Sequence, residues 1–129
     1  MNRNIARAGL AVALAGSLAL PTAAHASGAD DVIHQGSCTG TADWKLKAKP
    51  DNNRIELEFE VDSNRVGQHW NVKIFHDGRR ILNGTRTTAG ASGSFEVRKL
   101  AANHAGRDQF RATATRVGGT QTCTGRIAL

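Results

Sequence analysis

The stretch 43-DWKLKAKPDNNRIELEFEV-61 decides how this chain folds. Trp44, Leu46 and Ala48 alternate with Lys45, Lys47 and Lys49. After Pro50-Asp51-Asn52-Asn53, the residues Ile55, Leu57, Phe59 and Val61 alternate with Glu56, Glu58 and Glu60. Successive side chains on a strand point to opposite faces, so each run carries one dry face and one wet face. Closing the two runs about a four-residue turn sets Lys49 opposite Arg54, Lys47 opposite Glu56 and Lys45 opposite Glu58. The same register sets Trp44 opposite Phe59, Leu46 opposite Leu57 and Ala48 opposite Ile55. A slip of one residue would bury the charges and expose the apolar side chains, so both faces specify the pairing. Trp44, Leu46, Ile55, Leu57 and Phe59 are the expected contribution of this hairpin to the core.

Upstream of the hairpin the chain has a different character. Asn2-Arg3-Asn4-Ile5-Ala6-Arg7 is a short basic start, Ala8 to Leu20 is apolar and rich in small residues, and Pro21 breaks the run. Ala24-His25-Ala26 fits an A-x-A cleavage site, so residues 1–26 read as a secretory signal peptide. The apolar run is 13 residues long, and a membrane span needs about 20. No arginine pair precedes the run and no cysteine directly follows it. Nor does a second apolar segment or a wall-sorting motif lie near Leu129. The expectation is therefore a released extracellular protein with no membrane span in the mature chain. Residues 27–37 read as a flexible leader or a short edge strand, and residues 38–129 as one small domain.

Both cysteines, Cys38 and Cys123, fall in the mature part. An even pair in an oxidising compartment reads as a disulfide, here tying the start of the domain to its end. No C-x-x-C is present to suggest a redox or metal pair. Loss of Arg3 and Arg7 with the leader takes the formal charge from +6 to +4. A moderately basic extracellular surface suits acidic partners such as wall polymers, polysaccharides, nucleic acid or acidic proteins.

Strand signals continue downstream. Trp70, Val72 and Ile74 alternate with Asn71, Lys73 and Phe75, and Asp77-Gly78 supplies the positive φ angles of a type I′ hairpin turn. The return run from Arg80 to Thr88 is broken by the neighbours Ile81 and Leu82, which an edge position or a bulge explains. Phe95 and Val97 mark a fifth strand, Phe110, Ala112 and Ala114 a sixth, and Gln121 to Ile127 a seventh. A tight turn at Gly118-Gly119 sets Ala114 opposite Cys123, Ala112 opposite Gly125 and Phe110 opposite Ile127. Between strands five and six, Ala101 to Arg107 reads as a crossing with room for one helical turn. Seven short strands with frequent turns predict an all-β, seven-stranded antiparallel sandwich with one disulfide linking its N- and C-terminal segments.

The segment Leu100 to Ala114, with Ala105-Gly106, Asp108, Phe110, Ala112 and Ala114, resembles the crossing and sixth strand of immunoglobulin-like or fibronectin-type-III-like domains. Trp70 stands where such domains place a core aromatic on their third strand. Taken whole, the chain is similar to small uncharacterised secreted proteins of high-GC Gram-positive bacteria. The resemblance implies an immunoglobulin-like sandwich and carries no functional motif. It departs from true immunoglobulin domains in having no tyrosine, and so no tyrosine corner. Ala112 stands near the position of their second core cysteine.

Catalytic and metal-binding patterns are weak in this sequence. His69 and His76 are seven apart on one strand and point to opposite faces, so they cannot share a metal. His76 beside Asp77 fits an ordinary polar turn, and no spacing draws His34 or His104 to a partner. Ser37, Ser63, Ser92 and Ser94 lack a nucleophile setting. Glu56, Glu58 and Glu60 read as cross-strand partners of lysines. Asn83-Gly84-Thr85 matches a glycosylation pattern that carries no weight in a bacterial-type chain. No enzyme, metal or cofactor is expected.

The asymmetry between sheets is more informative. If strands three, six and seven share a sheet, its outer face shows Asn71, Lys73 and Phe75, then Arg111, Thr113 and Thr115, then Thr122, Thr124 and Arg126. That face holds three cations and no carboxylate, with Arg111 set opposite Arg126. Asn71, Lys73, Phe75, Arg111, Thr113 and Arg126 are thus the candidate binding face of a secreted, monomeric, non-enzymatic module. Its expected partner is an anionic cell-wall polymer or an extracellular protein. Two alternatives come from other classes. A small apolar ligand carrier similar to the neocarzinostatin-type apoproteins would have two disulfides and an acidic surface. A protease inhibitor would present Thr87 to Ser94 or Arg65 to Gln68, neither of which contains a bracing cysteine.

Overall fold

The alternating runs become strands. In the computed structural model, which describes residues 30–129, the chain forms β1 (Val32–Ser37), β2 (Asp43–Asp51), β3 (Arg54–Asp62) and β4 (His69–His76), followed by β5 (Arg79–Thr87), β6 (Ser94–Ala102), β7 (Gln109–Arg116) and β8 (Thr122–Ala128). The expected signal peptide at 1–26 and the first residues of the expected leader, 27–29, lie outside the described residues. One antiparallel sheet has the order β1-β2-β3-β6 and the other β5-β4-β7-β8. The seven strands read from the sequence are β2 to β8, with β2, β3 and β6 in one layer of the sandwich and β4, β5, β7 and β8 in the other. The crossing from Asn103 to Asp108 contains no helical turn.

The eighth strand is β1, at the edge of its sheet, so from Val32 onward the short edge strand holds for 27–37 and the flexible leader does not. It pairs with β2 along its whole length, from Val32 opposite Ala48 to Ser37 opposite Asp43. Val32 packs on the core. His34 reaches the other sheet, its Nδ1–H donating to the Arg126 carbonyl at 2.7 Å.

The opening hairpin turns more tightly than the four-residue reading allowed. Asn52 and Asn53 both take positive φ, 47° and 64°, and form the two-residue connection between Asp51 and its partner Arg54. Asn tolerates the left-handed region better than other non-glycine residues, and two positive φ angles match the twist of a hairpin. Pro50 and Asp51 therefore join β2. Lys45, Lys47 and Lys49 lie opposite Glu60, Glu58 and Glu56, while Leu46 lies opposite Phe59 and Trp44 opposite Val61. The expected register was wrong by two residues. Because the side-chain period is also two, the dry and wet faces are unchanged.

Elsewhere the pairing matches expectation. Ala114 faces Cys123, Ala112 faces Gly125 and Phe110 faces Ile127. Asp77 and Gly78 have φ of 48° and 83° in the β4–β5 turn. Ile74 pairs with Leu82 but Phe75 with Arg80, so Ile81 is the extra residue of a bulge on an edge strand. Between the sheets, Trp70, Phe59, Leu46, Ile55, Leu57 and Ile74 are the largest fully buried side chains.

The disulfide joins Cys38, just past β1, to Cys123 on β8, and so staples one sheet to the other. Thr39 reinforces it: its N–H donates to the Thr122 carbonyl at 2.9 Å, and its hydroxyl accepts the Thr122 N–H at 2.8 Å. Trp44 is only half-buried. Its ring lies across the opening between β1 and β8, so close that a Cβ on Gly125 would sit 2.7 Å from it and one on Gly36 3.0 Å. Gly125→Ala is expected to displace this ring and lower stability by about 1–3 kcal/mol in urea titrations. Removing the disulfide with Cys38→Ser and Cys123→Ser should cost roughly 2–5 kcal/mol by the same measurement, because the bond closes a loop spanning most of the domain.

Candidate functional site

Sheet β5-β4-β7-β8 presents the face expected of it, but the side chains divide into two places. Asn71, Lys73 and Thr113 border a shallow polar depression with Asn83 and Thr85 of β5. Phe75, Arg111 and Arg126 lie instead in an open groove at the other end of the face, joined there by His34 and Arg107. No carboxylate side chain lines the groove.

Strand pairing builds the groove. Phe75, Arg111 and Arg126 stand in one cross-strand row, since Phe75 pairs with Arg111 and Arg111 with Arg126. The Arg111 guanidinium lies over the Phe75 ring, 4.3 Å from its centroid. That cation–π contact positions the arginine and leaves its N–H groups available to a ligand. Like charges set opposite on a sheet repel. Among the described residues no carboxylate forms an ion pair with Arg107, Arg111 or Arg126.

The other sheet contrasts with this one. Arg98 on β6 donates to Glu96 at 2.7 Å and lies 3.4 Å from Glu58 and 3.8 Å from Glu56. The Glu96 hydrogen bond first, and then the charge of Glu58, raise the arginine's pKa above its ordinary value. Lys47 lies between Asp31 at 3.3 Å and Glu58 at 4.0 Å. The face is self-neutralised as expected, with Arg98 supplying a cation that the hairpin alone did not reveal.

A second constellation lies at the end of the sandwich where the β4–β5 turn meets the β6–β7 connection. His76 closes the inner row of β4 that begins with Trp70, Val72 and Ile74, and it is buried. Its ring stacks on His104 at 4.1 Å, 5° from parallel, and on Phe110 at 4.4 Å. His76 Nε2 is 2.6 Å from Asp108 Oδ1 and 3.5 Å from Asp77 Oδ2. His104 Nδ1 is 2.8 Å from Asp77 Oδ2 and 3.5 Å from Asp108 Oδ1.

The backbone places both carboxylates. Asp108 exchanges two main-chain hydrogen bonds with Leu129, at 2.8 and 2.9 Å, which seats its side chain beneath the crossing. Its Oδ1 also accepts the His104 N–H at 3.1 Å, and the Asn103 side-chain amide, when turned so that its nitrogen faces the carboxylate, donates to Oδ2 at 3.1 Å. Asp77 Oδ1 accepts the Gln109 N–H at 2.8 Å. The His104 hydrogen bond, followed by that of Gln109, holds the Asp77 carboxyl below the usual carboxylate range.

Spacing arguments missed this cluster because its members are brought together by strand pairing and a crossing, not by sequence neighbourhood. His69 does point away from His76, bonding Thr87 on the exposed side. The partner of His76 is instead His104, 28 positions on. One signal was present in the sequence. His76 and Asp108 occupy dry-side positions, in line with Trp70-Val72-Ile74 and with Phe110-Ala112-Ala114. Two polar residues at dry positions of paired strands need each other.

Comparison with protein-family models finds no match to the chain, and searches of curated proteins and of solved structures return no similar protein.

Asp108→Ala is expected to lower stability by about 1–3 kcal/mol, since it leaves His76 buried without its closest partner. A reduced urea midpoint with an unchanged denaturant slope is the expected reading.

Proposed function

We propose that this chain is a secreted, non-enzymatic binding module that holds an anionic polymer against the groove formed by Phe75, Arg111 and Arg126. The observation that carries the reading is the row itself. Two arginines face each other with no carboxylate between them, one is positioned over an aromatic ring, and Arg107 and His34 flank them. Guanidinium groups suit phosphate and carboxylate groups because their N–H donors match the oxygen geometry.

Secretion rests on the leader pattern at 1–26, together with the Cys38–Cys123 disulfide of an oxidising compartment. No helix among the described residues is long and apolar enough to cross a membrane. The groove is an open surface feature, while Trp70 and Phe59 fill the space between the sheets. A polymer passing over the surface therefore fits better than an apolar molecule enclosed in the core.

Sedimentation with isolated Gram-positive cell walls tests the proposal. The wild-type protein should pellet at low salt and be released as salt screens the contact. Arg111→Ala with Arg126→Ala should weaken retention by at least about tenfold, since each removes charge-assisted hydrogen bonds. Recovery of the wild type in the low-salt supernatant would overturn the reading, as would equal sedimentation of the double variant.

A further inference from the structure

We infer that His76, Asp77, His104 and Asp108 form a binding site for a divalent transition-metal ion, Zn²⁺ by its chemistry. The inference stands apart from the arginine groove. One donor atom from each residue lies within 4.8 Å of the other three. Two imidazoles and two carboxylates from the β4–β5 turn region and the β6–β7 connection are thus gathered within reach of a single ion.

The distances suit a small ion. Tetrahedral zinc with ligand bonds of about 2.0–2.1 Å separates its donors by about 3.3 Å. The two cross contacts, His76 Nε2 to Asp77 Oδ2 and His104 Nδ1 to Asp108 Oδ1, are 3.5 Å each. The two short contacts, 2.6 and 2.8 Å, have hydrogen-bond lengths. A metal ion replaces the proton in such a contact, and the donors then move apart by about half an ångström to the tetrahedral spacing.

The surroundings are those of a metal site in three respects. Each carboxylate has its outer oxygen tied by an N–H donor, Asp77 by the Gln109 backbone and Asp108 by the Asn103 amide, which turns the other oxygen inward. Outer contacts of this kind orient metal ligands and restrict each carboxylate to one oxygen. His76 and Asp108 are buried and form a fixed floor, while His104 and Asp77 are exposed and form the movable side. The cluster also opens to solvent, since His76, Asp77 and His104 line a cleft between β5 and β6.

His104 is the residue that must move. Parallel stacked rings direct their nitrogen lone pairs side by side, so His104 tilts out of the stack to aim Nδ1 at the ion. Its exposure on the connection permits that. The donor set selects the metal class: two neutral imidazoles and two carboxylates balance a dication and suit zinc-like ions, whereas calcium and magnesium take oxygen ligands throughout.

Titration of the purified protein with Zn²⁺ against a chromophoric chelator tests the site. One ion should bind per chain and raise the melting temperature. His104→Ala and Asp77→Asn alter exposed side chains, and each should weaken binding about 100-fold or more and abolish the melting shift, since even outer-contact losses cost 10–100-fold. His69→Ala, on the opposite face of the same strand, should bind as the wild type does. Absence of stoichiometric Zn²⁺ binding at micromolar concentration would overturn the inference. So would wild-type affinity in both the His104 and Asp77 variants, or equal loss in the His69 control.

Discussion

Everything in this molecule depends on the dry seam between its two sheets. Burial of alternate side chains is the main favourable contribution to folding, and in a sandwich it requires each strand to hold its parity from end to end. Parity then carries information outward. Once Trp70, Val72 and Ile74 face the seam, Asn71, Lys73 and Phe75 face solvent, and the pairing of β4, β7 and β8 sets the cations into rows. The basic groove is a consequence of the core.

The two ends of the seam are closed by different chemistry. At one end the disulfide and the Thr39–Thr122 hydrogen bonds join the sheets. Buried Thr88 also ties the β5–β6 loop to the β3–β4 loop there, with its hydroxyl accepting the Gln68 N–H and donating to the Arg65 carbonyl. At the other end His76 and Asp108 continue the dry rows of β4 and β7 with polar groups, which satisfy one another across the crossing. The second end gathers four ligand-type atoms within 4.8 Å of one another.

Much of the fold was legible because strand periodicity is local. The two-sided character of β2 and β3, the Asp77-Gly78 turn and the β7–β8 register all follow from residues close in sequence. The hairpin register of β2 and β3 did not. Asn52-Asn53 and the longer four-residue turn preserve the same faces, and only the backbone conformation of the two asparagines separates them. The place of β1 was equally hidden. Its run has few apolar residues, and it is held by pairing to β2 and by the contact of His34 with Arg126, which belongs to the other sheet.

The sequence by itself determined the class of fold, the pairing of Cys38 with Cys123, the neutral face of one sheet and the carboxylate-free face of the other. Each of these depends on parity or on a count of two, both of which survive without coordinates. Only the tertiary structure divided the basic face into a groove at Phe75, Arg111 and Arg126 and a separate depression at Asn71, Lys73 and Thr113. It alone brought His104 over His76 and turned Asp77 and Asp108 toward them. The physical reason is that strand pairing and a crossing loop set distances between residues about 30 apart, and neither periodicity nor spacing along the chain encodes those distances.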